Sequence, residues 1–372
     1  MPLQKDSVKN WKCKPDLKDM TLAELEDFIS GCGKEQYRAR QLMKWMYQSG
    51  IDNFDEMTNL SREFRRTLQD LARISSLEIE EIQTSADGTK KALFRLSDGF
   101  FIESVLIREK NHWTLCISTQ VGCPMKCAFC LTGEQGFKRN LKPSEIVGQI
   151  TALRFGTPEG ETIKNIVMMG MGEPLLNYEN VVKAIEIMTS DLGLLLSRRR
   201  VTVSTCGIVP MIYRLGDDIS VNLAISLNAP DNSTRDMLMP VNKTYPLEDL
   251  IQACRGYPMP RRRRVTFEYI LIADINDSAE HAKKIATLIR GIRCKFNLIR
   301  FNEYPGSLYK SPREENVAAF QNILVKHGYT AVIRKSKGRD ILAACGQLSG
   351  QYHQPAPCTE RYGICRGPVI KK

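Results

Sequence analysis

The sequence lacks the features of membrane, secreted and disordered chains. No segment approaches the roughly 18 consecutive apolar residues of a membrane span, and the first 20 residues contain no apolar stretch like that of a secretory signal. Cysteine is sparse, since 12 cysteines in 372 residues fall far below the density of small disulfide-stapled scaffolds. We therefore expect a cytoplasmic protein that does not use a membrane. Thiols stay reduced in the cytoplasm, so a cluster of cysteines there predicts metal ligands or redox groups.

What the chain does have is length, apolar residues and positive charge. Its 372 residues, 42% of them hydrophobic, predict about two or three domains with a sizeable core. The 53 Lys and Arg exceed the 42 Asp and Glu by 11, a surplus that favours polyanionic partners such as nucleic acid. The sequence contains neither a repeat of fixed period nor a long low-complexity segment. This composition excludes a mini-scaffold and a collagen.

Residues 1–74 predict a small helical domain. Thr21 and Glu24 match a capping box, and apolar residues follow them at helical spacing. Further helical segments are expected at 37–47 and 61–72. The basic residues of this domain are Lys34, Arg38, Arg40, Lys44, Arg62, Arg65 and Arg66. One interpretation is that residues 15–74 present a face that contacts RNA, and the other is solvated charge on ordinary helices.

Residues 75–110 predict a short β-meander. Turn signals at 86–88 and 97–99 separate runs of strand-forming residues. Glu103 lies in the last run, on the face that it shares with Phe101, Val105 and Ile107. A carboxylate on such a face is costly unless it points into a polar cavity. The alternative is a half-exposed glutamate on an edge strand.

Residues 111–342 predict an α/β fold in which short strands alternate with amphipathic helices. The expected strands lie at 115–118, 166–170, 201–204, 222–227, 265–272 and 296–301. The expected helices lie at 143–155, 179–190, 209–215, 247–255 and 278–290. Such units with right-handed crossovers form a parallel sheet that curls into a partial (β/α)6 barrel of the TIM type. We then expect the chemistry at the carboxyl ends of the strands.

Three cysteines follow the first strand of this array in a C-x3-C-x2-C pattern. They are Cys123, Cys127 and Cys130, close enough in sequence to wrap one face of a metal centre. Zinc usually takes four ligands in two separated pairs, and Cys116 is a conceivable fourth ligand. Three ligands instead suit a [4Fe-4S] cluster with one open iron. We favour the cluster, because the pattern resembles that of the radical S-adenosylmethionine (SAM) superfamily.

Short polar residues recur at the ends of the later strands. Gly172, Glu173 and Pro174 resemble the superfamily's GEP motif, in which the glutamate contacts the amino group of SAM. Further residues at corresponding positions are Ser204, Ser226, Leu227, Asn228 and Asn302. Each of these polar groups could cap the following helix. Their common position at strand ends favours hydrogen bonds to SAM.

The C-terminal part of the chain narrows the resemblance to one family. The run Ser336 to Leu348, with Cys345-Gly-Gln-Leu at its end, is similar to the segment of the radical SAM adenine C2 methyltransferases that carries a methyl-bearing cysteine. The resemblance extends from the basic helical domain to Leu348 and assigns residues 343–372 to this C-terminal segment. Asn228 departs from the family, which more often has histidine there, so the strength of that SAM contact is in question.

The resemblance implies a radical methylation of C2 of adenine in 23S ribosomal RNA and transfer RNA. In the family's scheme, which uses two SAM per turnover, one SAM methylates Cys345. The other SAM, bound to the cluster of Cys123, Cys127 and Cys130, gives a 5′-deoxyadenosyl radical that activates the S-methyl group for addition to C2. Glu103 is then the candidate proton acceptor. Cys116 is the candidate thiol that releases the RNA and forms a transient disulfide with Cys345.

Partners and alternatives follow from the same scheme. We expect an electron donor such as flavodoxin with its reductase, and a monomeric enzyme. The alternatives are a related methyltransferase acting on C8 of adenine, and a zinc-dependent RNA-binding protein without catalysis. The basic runs at 198–200 and 261–264 should lie at the amino ends of barrel strands, away from the chemistry. Cys358 and Cys365 match no motif that assigns them a role.

Overall fold

The structure is a computed structural model that describes residues 14–350. Cys13, Cys358 and Cys365 lie outside these residues, as do parts of the two terminal regions distinguished in the sequence.

The N-terminal region is helical, as the sequence predicts. Its helices are α1 (Leu22–Gly31), α2 (Tyr37–Tyr47) and α3 (Arg62–Leu71). Thr21 caps α1 in a capping box with Glu24, because each side chain satisfies a backbone amide that the first helical turn leaves free. Ser61 caps α3 by accepting from the N–H of Phe64. The apolar faces of these helices pack into the same core as the rest of the chain.

Twelve strands follow within the described residues. They are β1 (Glu78–Thr84), β2 (Lys90–Arg95), β3 (Phe101–Arg108), β4 (Trp113–Cys116), β5 (Gln120–Gly122), β6 (Phe137–Asn140), β7 (Ile163–Met168), β8 (Val201–Thr205), β9 (Asn222–Ser226), β10 (Val265–Leu271), β11 (Cys294–Arg300) and β12 (Thr330–Arg334). Ten of them form one sheet in the order β1-β2-β3-β4-β7-β8-β9-β10-β11-β12, and β5 pairs with β6. In the ten-stranded sheet, neighbouring strands from β1 to β4 are antiparallel. The strands β4 and β7 to β12 are parallel to one another.

Eight more helices connect the strands within the described residues. They are α4 (Leu131–Glu134), α5 (Pro143–Gly156), α6 (Tyr178–Thr189), α7 (Val209–Asp218), α8 (Asn232–Leu238), α9 (Leu247–Gly256), α10 (Ala279–Leu288) and α11 (Glu314–Lys326). The alternation of parallel strands with helices confirms the predicted α/β class and the partial barrel. One expectation was incomplete, because the parallel array contains a seventh strand, β12, with α11 before it. The meander is also part of the barrel sheet, since β3 pairs with β4.

The side chains of β10 show how the barrel separates its core from its interior. Phe267 and Tyr269 point outward, and Tyr269 packs on Phe320 of α11 with ring centroids 5.1 Å apart. The alternate residues Thr266 and Glu268 point into the barrel, where they line a cavity. A carboxylate at this inward position places chemistry inside the barrel, as the next section describes.

The segment after β12 crosses back over the meander. Asp340 accepts from the hydroxyl of Ser85 at 2.6 Å and from the N–H of Ala86 at 3.0 Å. Asp87 in turn accepts from the N–H of Gly338 at 3.1 Å. These bonds fix the residues that lead to Cys345 above the open side of the barrel. No helix among residues 14–350 is both long and apolar enough to cross a membrane.

Candidate active site

Two cavities meet at the carboxyl ends of the barrel strands. The smaller one, of about 150 Å³, is lined by Cys123, Cys127 and Cys130, and we call it the cysteine cavity. The larger one, of about 350 Å³, extends into the barrel, and we call it the barrel cavity. Cys345 and Glu268 line both cavities. The site therefore brings the three cysteines of the motif and the C-terminal cysteine together, although more than 200 residues separate them in the sequence.

The loop that holds the three cysteines is shaped by a glycine and by backbone bonds. Gly122 has a φ of +70°, and a Cβ there would lie 1.8 Å from the carbonyl oxygen of Gly136. The N–H of Cys123 donates to that same carbonyl at 3.1 Å. Beyond it, the N–H of Ala128 donates to the carbonyl of Leu238 at the end of α8. The loop is thus bonded to β6 on one side and to α8 on the other.

The three thiols suit a metal cluster in both chemistry and surroundings. Burial raises the pKa of Cys123 to about 12 and raises the pKa values of Cys127 and Cys130 as well. Repulsion among the thiolates adds to the shift, because Cys130 raises the pKa of Cys123 and both of these raise the pKa of Cys127. Buried thiolates of this kind need a positive counter-charge, which iron supplies when a cluster binds. The residues present therefore fit a [4Fe-4S] cluster.

A zinc site is not supported by the same geometry. A closed zinc site takes four ligands, so zinc would need one more ligand beside Cys123, Cys127 and Cys130. Cys116, the conceivable fourth zinc ligand, is not part of the lining of the cysteine cavity. A cubane cluster makes no such demand, because each of its thiolates binds a different iron.

Glu173 lies at the wall of the cysteine cavity, where the GEP motif placed it. Its Oε2 accepts from the N–H of Cys206 at 2.8 Å, and its Oε1 accepts from the N–H of Leu175 at 3.1 Å. Burial raises the pKa of this carboxyl, and the amide donors oppose the shift. Gly172 precedes it with a φ of +96°, and a Cβ at Gly172 would meet Gln120 at 2.5 Å. The backbone can therefore turn here only with glycine.

The polar residues predicted at the strand ends are placed differently from one another. Ser204, Ser226 and Asn228 line the cysteine cavity. The Asn228 amide is already engaged, because its Oδ1 accepts from the N–H of Ile270 at 2.8 Å and its Nδ2 faces the sulfur of Met239 at 3.3 Å.

Two other members of the predicted set contact neighbouring residues of the site. Leu227 lines neither cavity, and its N–H donates to the carbonyl of Glu268 at 3.0 Å. Asn302 lines the barrel cavity and donates from Nδ2 to the carbonyl of Cys345 at 3.3 Å. Asn302 thus holds the cysteine segment in place in this structure.

The segment that carries Cys345 is bonded directly to the cluster loop. The N–H of Leu131 donates to the carbonyl of Gly346 at 2.8 Å, and the hydroxyl of Thr132 donates to the carbonyl of Leu348 at 2.6 Å. On the other side, Gln347 donates from Nε2 to the carbonyl of Glu303 at 2.8 Å. The Cys345 side chain remains accessible, because it faces the open space of the two cavities.

Cys116 and Cys345 interact electrostatically, and both are free thiols. Cys116 ends β4 and is buried. Burial raises the pKa of its thiol, and the charge of Cys345 raises it further. The pKa of Cys345 is raised to about 11, first because the walls of the two cavities shield its thiolate from bulk water, although the residue is exposed, and then by the charge of Glu268. Cys116 lines neither cavity, so its link to Cys345 in this structure is electrostatic.

Glu103 is buried and fully engaged. Its side chain is 2% exposed and forms an ion pair of 3.0 Å with Lys91, which is 9% exposed. Its Oε2 also accepts from the N–H groups of Ser349 and Gly350, at 2.7 and 2.9 Å. The half-exposed edge position considered for it is therefore wrong, since β3 lies between β2 and β4. Glu103 lines neither cavity and anchors the end of the cysteine segment.

The Lys91–Glu103 pair leads to a stability prediction. Lys91→Met should lower the free energy of unfolding by about 3 kcal/mol, because it leaves a buried carboxylate without its cation. Urea unfolding followed by circular dichroism measures this change. Lys90→Met is the matched control, since its pair with Glu159 is partly exposed and should contribute less than about 1 kcal/mol. Equal losses in the two variants would contradict the prediction.

Two buried charged residues of the site were missed in the sequence. Arg235 on α8 is fully buried and donates to the carbonyls of Cys206, Ser226 and Leu227 at the strand ends. Glu268 on β10 is 8% exposed. The sequence feature that could have identified Glu268 is an acidic residue inside an apolar strand, and the same feature identified Glu103.

The barrel cavity is mainly cationic. Its basic lining residues are Arg199, Arg200, Lys295, Arg334, Lys335 and Lys337, and its acidic ones are Glu109 and Glu268. Arg199 and Arg200 lie before β8, at the amino ends of the strands as expected. An anionic ligand that reaches Cys345 through this cavity would therefore meet favourable charge.

Comparisons with known proteins agree with this fold. The family model of the ribosomal RNA large subunit methyltransferase N-terminal domain matches residues 15–74, and that of the radical SAM superfamily matches residues 117–286. A curated protein of Syntrophus aciditrophicus (strain SB), named Dual-specificity RNA methyltransferase RlmN, is 63% identical over 336 residues. The match covers 90% of this chain and 97% of that protein.

Two further comparisons extend over most of the chain. A protein of the same name from Geobacter sulfurreducens is 50% identical, covering 90% of this chain and 92% of that protein. The crystal structure of a radical SAM methyltransferase from Sphaerobacter thermophilus superposes with a TM-score of 0.85 at 43% identity. It covers 91% of this chain and 100% of that chain.

Proposed function

Because the chain belongs to the RlmN family of dual-specificity RNA methyltransferases, we propose that it methylates C2 of adenine in 23S ribosomal RNA and in transfer RNA. As a member of this family it is a radical SAM RNA methyltransferase, as the sequence resemblance predicted. Its cofactors are a [4Fe-4S] cluster and SAM. The observation that carries the finer proposal is the position of Cys345 between the cysteine cavity and the cationic barrel cavity.

C2 of adenine requires radical chemistry, because its hydrogen is not acidic and an ordinary methyl transfer finds no nucleophile there. The cluster and SAM, when bound, supply the 5′-deoxyadenosyl radical. Cys123, Cys127 and Cys130 would hold the cluster, and Gly172 and Glu173 would hold the amino group of SAM. Ser204, Ser226, Leu227, Asn228 and Asn302 are the further proposed SAM contacts. Of these, Leu227 would contribute through its backbone, since its side chain lies outside both cavities.

Cys345 is the proposed methyl carrier and the residue that bonds to RNA. Its accessible thiol borders the cofactor side and the cationic side of the site, so one sulfur can exchange with both. Two SAM per turnover are needed, because Cys345 consumes one methyl group and activation of that methyl group consumes the other SAM. Cys116 then displaces the product from Cys345, forming a disulfide that a reductant must open before the next cycle.

Glu103 is the proposed acceptor of the C2 proton, and its contacts define how it would act. Lys91 and the amides of Ser349 and Gly350 hold its carboxyl group and link it to the segment that carries Cys345. To reach the adduct it must exchange at least one of these bonds. The covalent attachment of RNA to Cys345 provides the occasion, since it displaces the same segment.

The helical region at 15–74 is the proposed RNA-holding surface. Arg40, Lys44, Arg62 and Arg66 are exposed on it. Arg38 stacks on the exposed ring of Tyr37, 4.5 Å from its centroid, which is a surface suited to unpaired bases. Folded RNA held there can extrude one adenine toward Cys345. An electron donor such as flavodoxin with its reductase, a monomeric state and a cytoplasmic location complete the proposal.

The product of an anaerobic reaction tests the proposed function. RNA is incubated with the holoenzyme, SAM and a reductant, digested to nucleosides and compared by mass spectrometry with 2-methyladenosine and 8-methyladenosine standards. We expect 2-methyladenosine from both 23S ribosomal RNA and transfer RNA fragments. 8-Methyladenosine as the product would overturn the C2 assignment, and modification of one RNA class only would overturn the dual specificity.

A further inference from the structure

Glu268 is a buried carboxylate at the point where the two cavities meet. It faces Ser226 of β9 and Asn297 of β11 in the sheet register, so it belongs to the inward-pointing layer of the barrel. Asn297 donates from Nδ2 to Glu268 Oε1 at 2.8 Å. Among the described residues no other side chain donates to this carboxylate, which leaves Oε2 available. The proposed reaction assigns no role to Glu268.

The charged groups around Glu268 come from three elements. Lys295 lies on β11 and Arg334 ends β12, and both favour the ionised carboxylate. Cys345 on the C-terminal segment is coupled to it, because the charge of Glu268 is the main electrostatic influence on that thiol. Arg334 also forms an ion pair with Glu109, with 3.8 Å between Arg334 Nη2 and Glu109 Oε1, so its charge does not act on Glu268 alone. The charge of Glu268 thus acts on the protonation of Cys345.

The methyl-carrying role of Cys345 requires a proton acceptor. The thiolate, and not the thiol, is the nucleophile in methyl transfer, and the raised pKa of Cys345 leaves little thiolate at neutral pH. Burial raises the pKa of Glu268 to about 7, while Asn297 and the two cations oppose the shift. A carboxylate that titrates near neutral pH is well matched to proton transfer.

The other carboxylates near the site are engaged elsewhere. Both oxygens of Glu173 accept backbone N–H groups. Glu103 is paired with Lys91 and lines neither cavity. Glu109 lines the barrel cavity but not the cysteine cavity, and it pairs with Arg334. Within residues 14–350, Glu268 is the carboxylate that lines both cavities together with Cys345 and has an oxygen to spare.

We propose that the carboxylate of Glu268 accepts the proton of the Cys345 thiol when SAM methylates that thiol. The S–H bond of Cys345 breaks and its proton passes to Glu268, while a bond forms between the Cys345 sulfur and the methyl carbon. The bond from that carbon to the SAM sulfur breaks, and its electron pair stays on the sulfur, which leaves neutral S-adenosylhomocysteine. The proton then leaves through the polar barrel cavity to solvent. This inference rests on the proposed function, specifically on Cys345 as methyl carrier.

Self-methylation of Glu268→Gln enzyme tests the proposal without RNA. Holoenzyme is reconstituted from protein whose Cys345 is unmethylated, mixed with SAM, and quenched at intervals for mass spectrometry of the peptide 340–361. At pH 7 we expect Glu268→Gln to methylate Cys345 more slowly by on the order of 100-fold. The wild-type rate should rise between pH 6 and 8 and then level off, because the acceptor must be ionised. The methylation rate of the variant should lack this rise between pH 6 and 8. It should instead increase toward high pH, because the thiol itself ionises there.

A second measurement separates proton acceptance from a structural effect. The alkylation rate of Cys345 by iodoacetamide, measured without SAM, should show a component near pH 7 in the wild type that is absent in Glu268→Gln. Glu109→Gln is the matched control, since it removes a carboxylate of the same cavity and should retain both profiles. Gln also preserves an acceptor for Asn297, and thermal melting checks that the variant is folded.

The outcomes distinguish this inference from the proposed function. Equal methylation rates and equal pH profiles in the wild type and Glu268→Gln would overturn the role of Glu268 and leave Cys345 as the methyl carrier. A rate that falls by the same factor at every pH, with unchanged alkylation, would also overturn it and indicate a structural role. Failure of the wild type to methylate Cys345 would overturn the proposed function itself.

Discussion

Cys116→Ala enzyme should stop after one turnover with RNA covalently attached to Cys345. Release of the product requires a second thiol, and Cys116 is the cysteine whose pKa the charge of Cys345 raises. We expect the steady-state rate to fall by more than about 1,000-fold, as for other covalent catalysts that lose a reacting group. Denaturing gels should show a protein–RNA band, and mass spectrometry of the nuclease-treated protein should place the attached nucleotide on the peptide 340–361.

Cys294→Ala is the control for this experiment. Cys294 is buried at the start of β11, like Cys116 at the end of β4, but the charge of Cys345 is not among the influences on the pKa of its thiol. It should turn over at the wild-type rate and form no adduct. Multiple turnover by Cys116→Ala, without a trapped band, would remove Cys116 from the reaction.

Cys130→Ala enzyme should lose its cluster and, with it, its methyltransferase activity. The expected iron content falls from about four per chain toward zero, because the two remaining thiols do not hold a cubane. Iron and sulfide analysis of anaerobically purified protein measures the loss, and the visible absorbance of the cluster should disappear with it.

Cys206 provides the contrast within the same cavity. It lines the cysteine cavity but lies outside the C-x3-C-x2-C motif. Its N–H donates to Glu173, its carbonyl accepts from Arg235, and its thiol also bonds to Glu173. Cys206→Ala should lose only the thiol bond, keep the two backbone bonds and retain its iron. Loss of iron in Cys206→Ala together with retention in Cys130→Ala would show that the ligand assignment is wrong.

The fold was predictable where the sequence pattern is local. Short stretches of sequence predict the capping box of α1 and the six strands β4 and β7 to β11. All of these are present in the structure. The missed strand β12 has five residues and an apolar run of only three, Ala331 to Ile333, of which Ala331 alone is buried. Helix α8 is seven residues long and mostly polar, and its role is to bury one arginine. These elements are specified by packing and not by propensity.

The site was predictable only in part for the same reason. The cysteines of the motif stand within eight residues of one another, so their spacing carries the chemistry. The bond between Glu103 and the amides of Ser349 and Gly350 joins positions about 246 residues apart, and no local pattern reports it. Glu268 required knowledge of which face of β10 points into the barrel. Long-range pairing of this kind is decided by topology.

The pairing of β3 with β4 gives the meander a protective role. Without it, β4 would be the first parallel strand and would present its free N–H and C=O groups to solvent, and such edges recruit strands from other molecules. The meander moves this boundary outward to β1, whose sequence Glu78–Thr84 carries three glutamates. Charged side chains on an outermost strand discourage edge-to-edge aggregation. Residues 75–110 therefore serve the solubility of the barrel as well as the anchoring of its catalytic segment.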